Sequence, residues 1–315
     1  MQKPDVSVVI PVYNERESLP VLHERLRRVL DGLGRSHEII LVDDGSTDGS
    51  VEIVEGLARG DASLRLVRLN RNFGQSPALY AGLSQSRGAY VIVMDADLQV
   101  LPEDIPLLVK TLDEGSDVVV GWRANRHDSP FRKAMSRLFN WYVARVTGLT
   151  LHDYGCCLKG MRREIVDSLC SLRHRCRYFP ADLAMVGGRV TEVVVGHSER
   201  ALGSSKYNFF KLLRVAFDMI TSITDAPLRF IGLIGWLMAF AGFAMGAKVM
   251  LHRVMHGDMI LLESVVAVFF FCSGIQLMAT GMMCEYIGRI FIEVQRRPYF
   301  IIRGGGEGER GRDTP

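Results

Sequence analysis

Through the first two hundred residues, short apolar runs alternate with amphipathic stretches. Val6–Ile10 predicts a strand, ended by Pro11–Glu15. Leu19, Leu22, Leu26, Val29, Leu30 and Leu33 then recur at helical spacing, with Arg25, Arg27 and Arg28 opposite. Glu38–Val42 predicts a second strand, followed by Asp43–Asp48, where Thr47 or Asp48 is placed to cap the next helix. Leu64–Leu69 predicts a third strand, and Asn70–Gln75 opens a helix running to about Ser86. Ala89–Met94 predicts a fourth strand that stops at Asp95–Gln99, and Pro102 starts a helix at its favoured first position. Asp117–Gly121 and Val190–Gly196 predict further strands, with a helix from about Arg163 between them.

Strands alternating with helices spell a βαβ series, hence an α/β domain with a Rossmann-like, mostly parallel sheet covered on both faces. Pro11–Glu15, Asp43–Asp44, Asn72–Gly74 and Asp95–Gln99 each follow a strand and so fall along one sheet edge. Ligands bind beyond the carboxyl ends of such strands. In an extended strand Asp95 and Asp97 point the same way. The two carboxylates make a hard-oxygen site for Mg²⁺ or Mn²⁺, and Gln99 adds a neutral oxygen. Alone, an Asp-x-Asp pair is far more often a solvated turn than a metal site. Four such turns on one edge favour a ligand cleft. Neither a GxGxxG nor a GxxxxGK[ST] loop is present, so a metal must carry the phosphate charge of any nucleotide bound there.

The hydrophobic share of 48% is concentrated near the C-terminus. Phe230–Ala247 and Ser264–Cys284 are uncharged runs of about 18 and 21 residues, each long enough to span a bilayer. Residues 205–227 are amphipathic and predict a helix lying on the membrane surface, with 285–303 as its counterpart. Lys206, Lys211, Arg214 and Arg229 precede the first span, and Arg289, Arg296, Arg297 and Arg303 follow the second, which puts both termini in the cytoplasm. The expected layout is a catalytic domain over 1–204, two spans within 228–284, and a disordered tail over 304–315. Gly232, Gly235, Gly242 and Gly246 suit close helix packing and a homo-oligomer. A net charge of +3 is too small to argue for nucleic acid, and six cysteines without CxxC spacing suit a reduced, cytosol-facing protein.

Residues 122–147 carry Arg123, Arg126, His127, Arg132, Lys133, Arg137 and Arg145 among aromatics. A solvated helix face and an anion- or membrane-facing surface both fit. His197–Tyr207 places Arg200, Ser205 and Lys206 around Gly203, which suits a phosphate.

Val8–Glu15, Val42–Asp48, Arg71–Gly74 and Asp95–Gln99 resemble the family 2 glycosyltransferases with the GT-A fold. Two spans after Gly203–Tyr207 are similar to the polyprenyl-phosphate glycosyltransferases, the class that includes dolichyl-phosphate mannose synthase. Within it, Asp128–Lys133, Asp153–Cys156 and Glu285–Arg289 most resemble the subfamily that transfers 4-deoxy-4-formamido-L-arabinose to undecaprenyl phosphate in the lipid A aminoarabinose pathway. The resemblance implies that Pro11, Tyr13, Glu15, Asp43 and Asp95 hold the nucleotide, with Asp44, Asn72 and Gly74 beside them. It implies that Asp95, Asp97 and Gln99 surround the metal. The expected partners are a nucleotide sugar (a UDP-sugar favoured), undecaprenyl phosphate and the bilayer of a bacterial inner membrane.

The expected catalytic set is Asp97, Asp153 and Arg200, with Arg126, Arg132, Arg200, Ser205 and Lys206 on the acceptor phosphate. Two departures stand out. Val100–Pro102 replaces the usual acidic or amide residue and paired prolines, and Cys157 stands where many relatives carry an acid, leaving Asp153 as that segment's only carboxylate. A processive synthase fails for want of a Gln-x-x-Arg-Trp motif and further spans. UDP-glucose or GDP-mannose as donor, and a non-catalytic membrane scaffold, stay open.

Overall fold

The computed structural model describes residues 3–124, 144–145, 148, 150–172, 179–196, 262–294 and 298–304. The chain divides into two compact units, Met1–Lys206 with Pro298–Pro315, and Tyr207–Arg297. In the first unit one sheet is built from β1 (Val6–Val12), β2 (His37–Asp43), β3 (Leu64–Arg68), β4 (Tyr90–Val93), β5 (Val118–Trp122), β6 (Lys159–Arg162) and β7 (Val190–Val194). Their order across it is β3-β2-β1-β4-β6-β5-β7. Neighbours run parallel except at β6, which is antiparallel to both β4 and β5. The mostly parallel α/β sheet is therefore present.

Strand β6 escapes the sequence pattern because it is four residues long and carries a glycine and two cations. Gly160 packs closely there: a Cβ would lie 3.0 Å from Ile92 Cδ1 and 3.2 Å from Leu112 Cδ1, which would have to give way. Sandwiched between two strands, β6 has its backbone groups satisfied on both sides, which outweighs poor intrinsic propensity.

The helices of this unit are α1 (Leu19–Gly32), α2 (Ser50–Gly60), α3 (Gln75–Gln85), α4 (Ile105–Asp113), α5 (Arg163–Ser171) and α6 (Phe179–Val186). Leu19, Leu22, Leu26 and Leu30 of α1 are buried against Val6, Val8, Ile10 and Val12, every second residue of β1. The alternate residue Val9 faces α3, where a Cβ on Gly82 would overlap it and lie 2.9 Å from Val42 Cγ2. Both faces of the sheet are covered, as near-continuous apolar strands require. Two boundaries differ from expectation. Pro102 opens a 3₁₀ turn (Pro102–Asp104) before α4, and α2 is preceded by left-handed Gly49 at the cap position. Asp48 still accepts the Ser50 N–H at 3.0 Å, so it serves that helix start from one residue further back.

In the second unit, Leu262–Val294 is one continuous helix, α7, of 33 residues. It contains the whole uncharged run Ser264–Cys284 and passes through the boundary expected at 285. Counting described residues alone, no helix is long and apolar enough to cross a membrane. Many α7 side chains fall outside that set. The expected helix over 285–303 is corrected at its far end. Helix α7 stops at Val294, and residues 298–304 return to the sheet unit, where Ile302 pairs antiparallel with Leu69. Pro298, which disfavours continuing a helix, and the apolar run Tyr299–Ile302 favour that extended pairing over another helical turn. The expected surface helix over 205–227, the span Phe230–Ala247 and the tail beyond Gly304 lie outside the described residues.

Candidate active site

The chain runs outward from β1 through β2 to β3, then returns to place β4 on the other side of β1. That reversal opens a crevice between the carboxyl ends of β1 and β4, the position where open α/β sheets bind ligands. Strand β1 runs on through Pro11 to Val12 there, and Tyr13 follows with 46% of its surface exposed, a ring available for stacking.

Loops after β1 and β2 are stitched to each other. Asn14 adopts φ 56, which lets its Oδ1 accept the Thr47 N–H at 2.8 Å while its own N–H reaches Ser46 Oγ at 3.0 Å. Glu15 N–H donates to Ser50 Oγ at 3.1 Å, and its carboxylate accepts from Ser18 Oγ at 3.0 Å. Asp43 accepts the Ser46 N–H at 3.0 Å. Buried Asp44 accepts the backbone N–H groups of Phe73 at 2.7 Å and Gly74 at 2.8 Å. Burial raises its pKa, against those two bonds. Gly45, at φ 73, sits where a Cβ would come within 2.7 Å of the Asn72 nitrogen. Asp44 therefore shapes the 72–74 turn from beneath, leaving Arg71 and Asn72 exposed above it. The Arg71 guanidinium lies 4.3 Å from the Phe73 ring centre.

Strand β4 ends at Val93, two residues short of Asp95, so the expected extended strand does not reach the carboxylates. The alternation persists nonetheless: Asp95, Asp97 and Gln99 are partly exposed, while Ala96, Leu98 and Val100 are buried. Leu98 pays for the turn with a left-handed φ of 60. Asp97 accepts the Gln99 N–H at 3.1 Å. Asp95 opens only narrowly to solvent, accepts from Gln75 Nε2 at 2.7 Å and receives a bond from the Cys157 thiol. Burial pushes the Asp95 pKa up, the Asp97 charge adds to that, and Cys157, Gln75 and Lys159 oppose it. Lys159 is itself buried, bonded to the Cys156 carbonyl and 5.6 Å from the Phe179 ring centre.

Among the described residues no three His, Cys, Asp or Glu side chains converge as a closed metal cage. Two carboxylates in an open crevice nevertheless suit Mg²⁺ or Mn²⁺, because such ions commonly take one or two carboxylates and complete their shell with substrate phosphates and water. Asp95, Asp97 and the Gln99 amide fit that requirement.

Asp153 needs a correction. Both its oxygens are engaged: Arg123 Nε donates to Oδ2 at 2.7 Å and Nη2 to Oδ1 at 3.0 Å, and the Gly155 N–H adds a bond at 3.1 Å. Burial works against the Arg123 charge, but the bonds and charge of Asp153 outweigh it and raise the arginine's pKa. A carboxylate tied to a permanent cation is a poor proton acceptor. Asp153 positions Arg123 and the 153–157 turn, which delivers Cys157 and Lys159 to the crevice. Arg126, Arg132, Arg200, Ser205 and Lys206 lie outside the described residues. Sequence reasoning missed Gln75, Lys159 and the role of Arg123. Only the antiparallel return of β6 brings Cys157 and Lys159 beside β4.

The sequence model described as "Glycosyl transferase family 2" matches residues 7–170, the stretch that carries this crevice. The chain belongs to glycosyltransferase family 2. It is 42% identical over 302 residues to an undecaprenyl-phosphate 4-deoxy-4-formamido-L-arabinose transferase of Photorhabdus laumondii, covering 95% of this chain and 93% of that one. To the enzyme of the same name from Pseudomonas paraeruginosa it is 45% identical over 301 residues, covering 94% and 89%. This family 2 chain is thus a glycosyltransferase, as the motifs imply. Its fold is also that of glucosyl-3-phosphoglycerate synthase from Mycobacterium tuberculosis. The complex of that protein with UDP matches at a TM-score of 0.51 and 20% identity, over 70% of this chain and 79% of that one. The complex with Mn²⁺, UDP and phosphoglyceric acid matches at 0.52 and 21%, over 70% and 77%. The GT-A-like α/β fold is therefore shown.

Proposed function

We propose that the chain transfers a sugar from a nucleotide sugar to undecaprenyl phosphate with inversion, at the cytoplasmic face of a bacterial inner membrane. The donor is UDP-4-deoxy-4-formamido-L-arabinose and the product serves lipid A modification. The observation that carries this reading is the Asp95–Asp97 pair at the switch-point crevice, in a chain similar over nearly its whole length to transferases of that name. Runs Phe230–Ala247 and Ser264–Cys284 are the membrane spans of the reading, since each is uncharged over a bilayer's thickness.

A phosphate monoester has a second pKa near 6, so the attacking oxygen is mostly ionised at neutral pH. No strong general base is then needed, which agrees with Asp153 being held by Arg123. Tyr13 offers its ring to the base, and the turns carrying Asp43, Asn72 and Gly74 border the nucleotide. Asp95, Asp97 and Gln99 would hold a divalent cation, which supplies Lewis-acid stabilisation of the leaving diphosphate. Arg126, Arg132, Arg200, Ser205 and Lys206 hold the acceptor phosphate by charge-assisted bonds.

The test is transfer of radiolabelled sugar to undecaprenyl phosphate in detergent, offering UDP- and GDP-sugars singly with and without Mn²⁺. Metal-dependent product from the formamido-arabinose donor alone is expected. Product from UDP-glucose or GDP-mannose instead would move the pathway and keep the chemistry. No product from any donor would sink the enzymatic reading of this site.

A further inference from the structure

The last described residues of the chain close on the turn that borders the nucleotide site. Ile302 pairs with Leu69, the Asn70 N–H donates to the Ile301 carbonyl at 3.0 Å, and the Arg303 N–H donates to the Arg68 carbonyl at 2.7 Å. Phe300 is buried, and the Tyr299 ring meets Tyr80 of α3 edge-on with centroids 5.9 Å apart. Tyr80 in turn bonds Asp182 at the heart of the unit. Residues 298–304 therefore add a short antiparallel segment beyond the end of β3.

This segment grips the 69–74 turn at its start, while Asp44 grips it at Phe73 and Gly74. Between the two grips lie Asn70, Arg71 and Asn72, all exposed. A turn held at both ends loses less freedom when a ligand orders its middle, so preorganisation there appears as affinity. Without the segment, Leu69 keeps its own bond to the Asp43 carbonyl, but nothing among the described residues accepts the Asn70 N–H.

We propose that Tyr299–Arg303 is a positioning strap for the donor-binding turn, so that nucleotide affinity depends on residues at the far end of the chain. The inference rests on the reading of 70–74 as part of the donor site. The strap residues position the turn and take no part in the chemistry under this proposal. Their effect passes through the backbone of Asn70 and through the seat of α3, whose first residue Gln75 holds Asp95.

The experiment uses the full chain in detergent and titrates UDP with Mn²⁺, alongside hydrogen exchange at the 69–74 amides. Arg303→Pro removes the N–H that reaches Arg68, and a deletion of 298–315 removes the strap altogether. Both are expected to speed exchange at Asn70 and weaken UDP binding about five- to thirtyfold. The KM for undecaprenyl phosphate should stay within about twofold, since the strap's described contacts are to Arg68–Asn70 and Tyr80. Tyr299→Ala, which removes the ring packed edge-on against Tyr80, should weaken UDP binding likewise. Faster exchange with unchanged UDP affinity overturns the proposal, and so does unchanged exchange in both variants. Equal weakening of donor and acceptor with a lowered melting temperature overturns it too, by showing a merely structural role. If the intact chain binds no UDP, the donor reading itself fails, visibly in the wild type, and the strap's role falls with it.

Discussion

Arg123 grips Asp153 through two parallel bonds of 2.7 and 3.0 Å, with the two side chains only 10% and 5% exposed. Asp153→Asn would leave that guanidinium buried without its counter-charge, a change that typically costs about 3–5 kcal/mol. Denaturant or thermal unfolding of the variant should show a loss of that order, with activity falling along with folded protein. Lost turnover at unchanged stability would instead restore Asp153 as a proton acceptor.

Asp97 stands beside Asp95, partly exposed and outside the cluster of buried apolar side chains. Asp97→Ala is expected to lower kcat by roughly 10²–10³, the usual loss for one transition-state charge contact. Melting temperature and circular dichroism should match the wild type, and Mn²⁺ should no longer strengthen UDP binding. A wild-type rate in purified Asp97→Ala would refute the metal assignment.

Gly82 lets α3 lie directly on β1 and β2. The added methyl of Gly82→Ala would overlap Val9 Cγ1 and crowd Val42 Cγ2 at 2.9 Å, with packed sheet on the other side. Overpacking of this kind costs about 1–3 kcal/mol, more than the few tenths to one kcal/mol that alanine returns through helix propensity. Urea unfolding should therefore show net destabilisation. A more stable variant would mean that α3 can move away from the sheet.

The pH dependence of stability has a readable acid limb at Asp48. Burial alone would raise this carboxyl's pKa, but bonds from Ser50 and Arg16 together bring it below the ordinary value. A folded pKa below the unfolded one contributes stability above about pH 3.9, and that contribution disappears as pH falls through the folded value. Urea midpoints of wild type and Asp48→Asn should differ most near pH 6 and converge toward pH 2.5. A gap that stays constant across that range would remove Asp48 from the acid limb.

Much of the fold was legible because its determinants are local. Short runs of Val and Ile in β1 and β2, the leucine stripe of α1, and the polar turns after each strand state their own conformation through local pattern. The carboxylate-bearing edge followed, since parallel strands must present their carboxyl ends together. By contrast, β6 carries no such signal: Lys159–Arg162 becomes a strand only because β4 and β5 leave a slot between them. The same holds for 298–304, whose place beside β3 depends on a partner more than two hundred residues away.

The sequence by itself determined the family, the α/β alternation, the crevice edge and the pairing of Asp95 with Asp97, because short-range pattern and motif chemistry suffice for these. Tertiary structure alone decided that Asp153 is bound to Arg123, that Asp44 supports a backbone turn, and that Cys157 and Gln75 close around Asp95. Those outcomes depend on which side chains meet across distant strands. The free energy of burying a charge or a backbone N–H depends on that meeting, and spacing along the chain does not encode it.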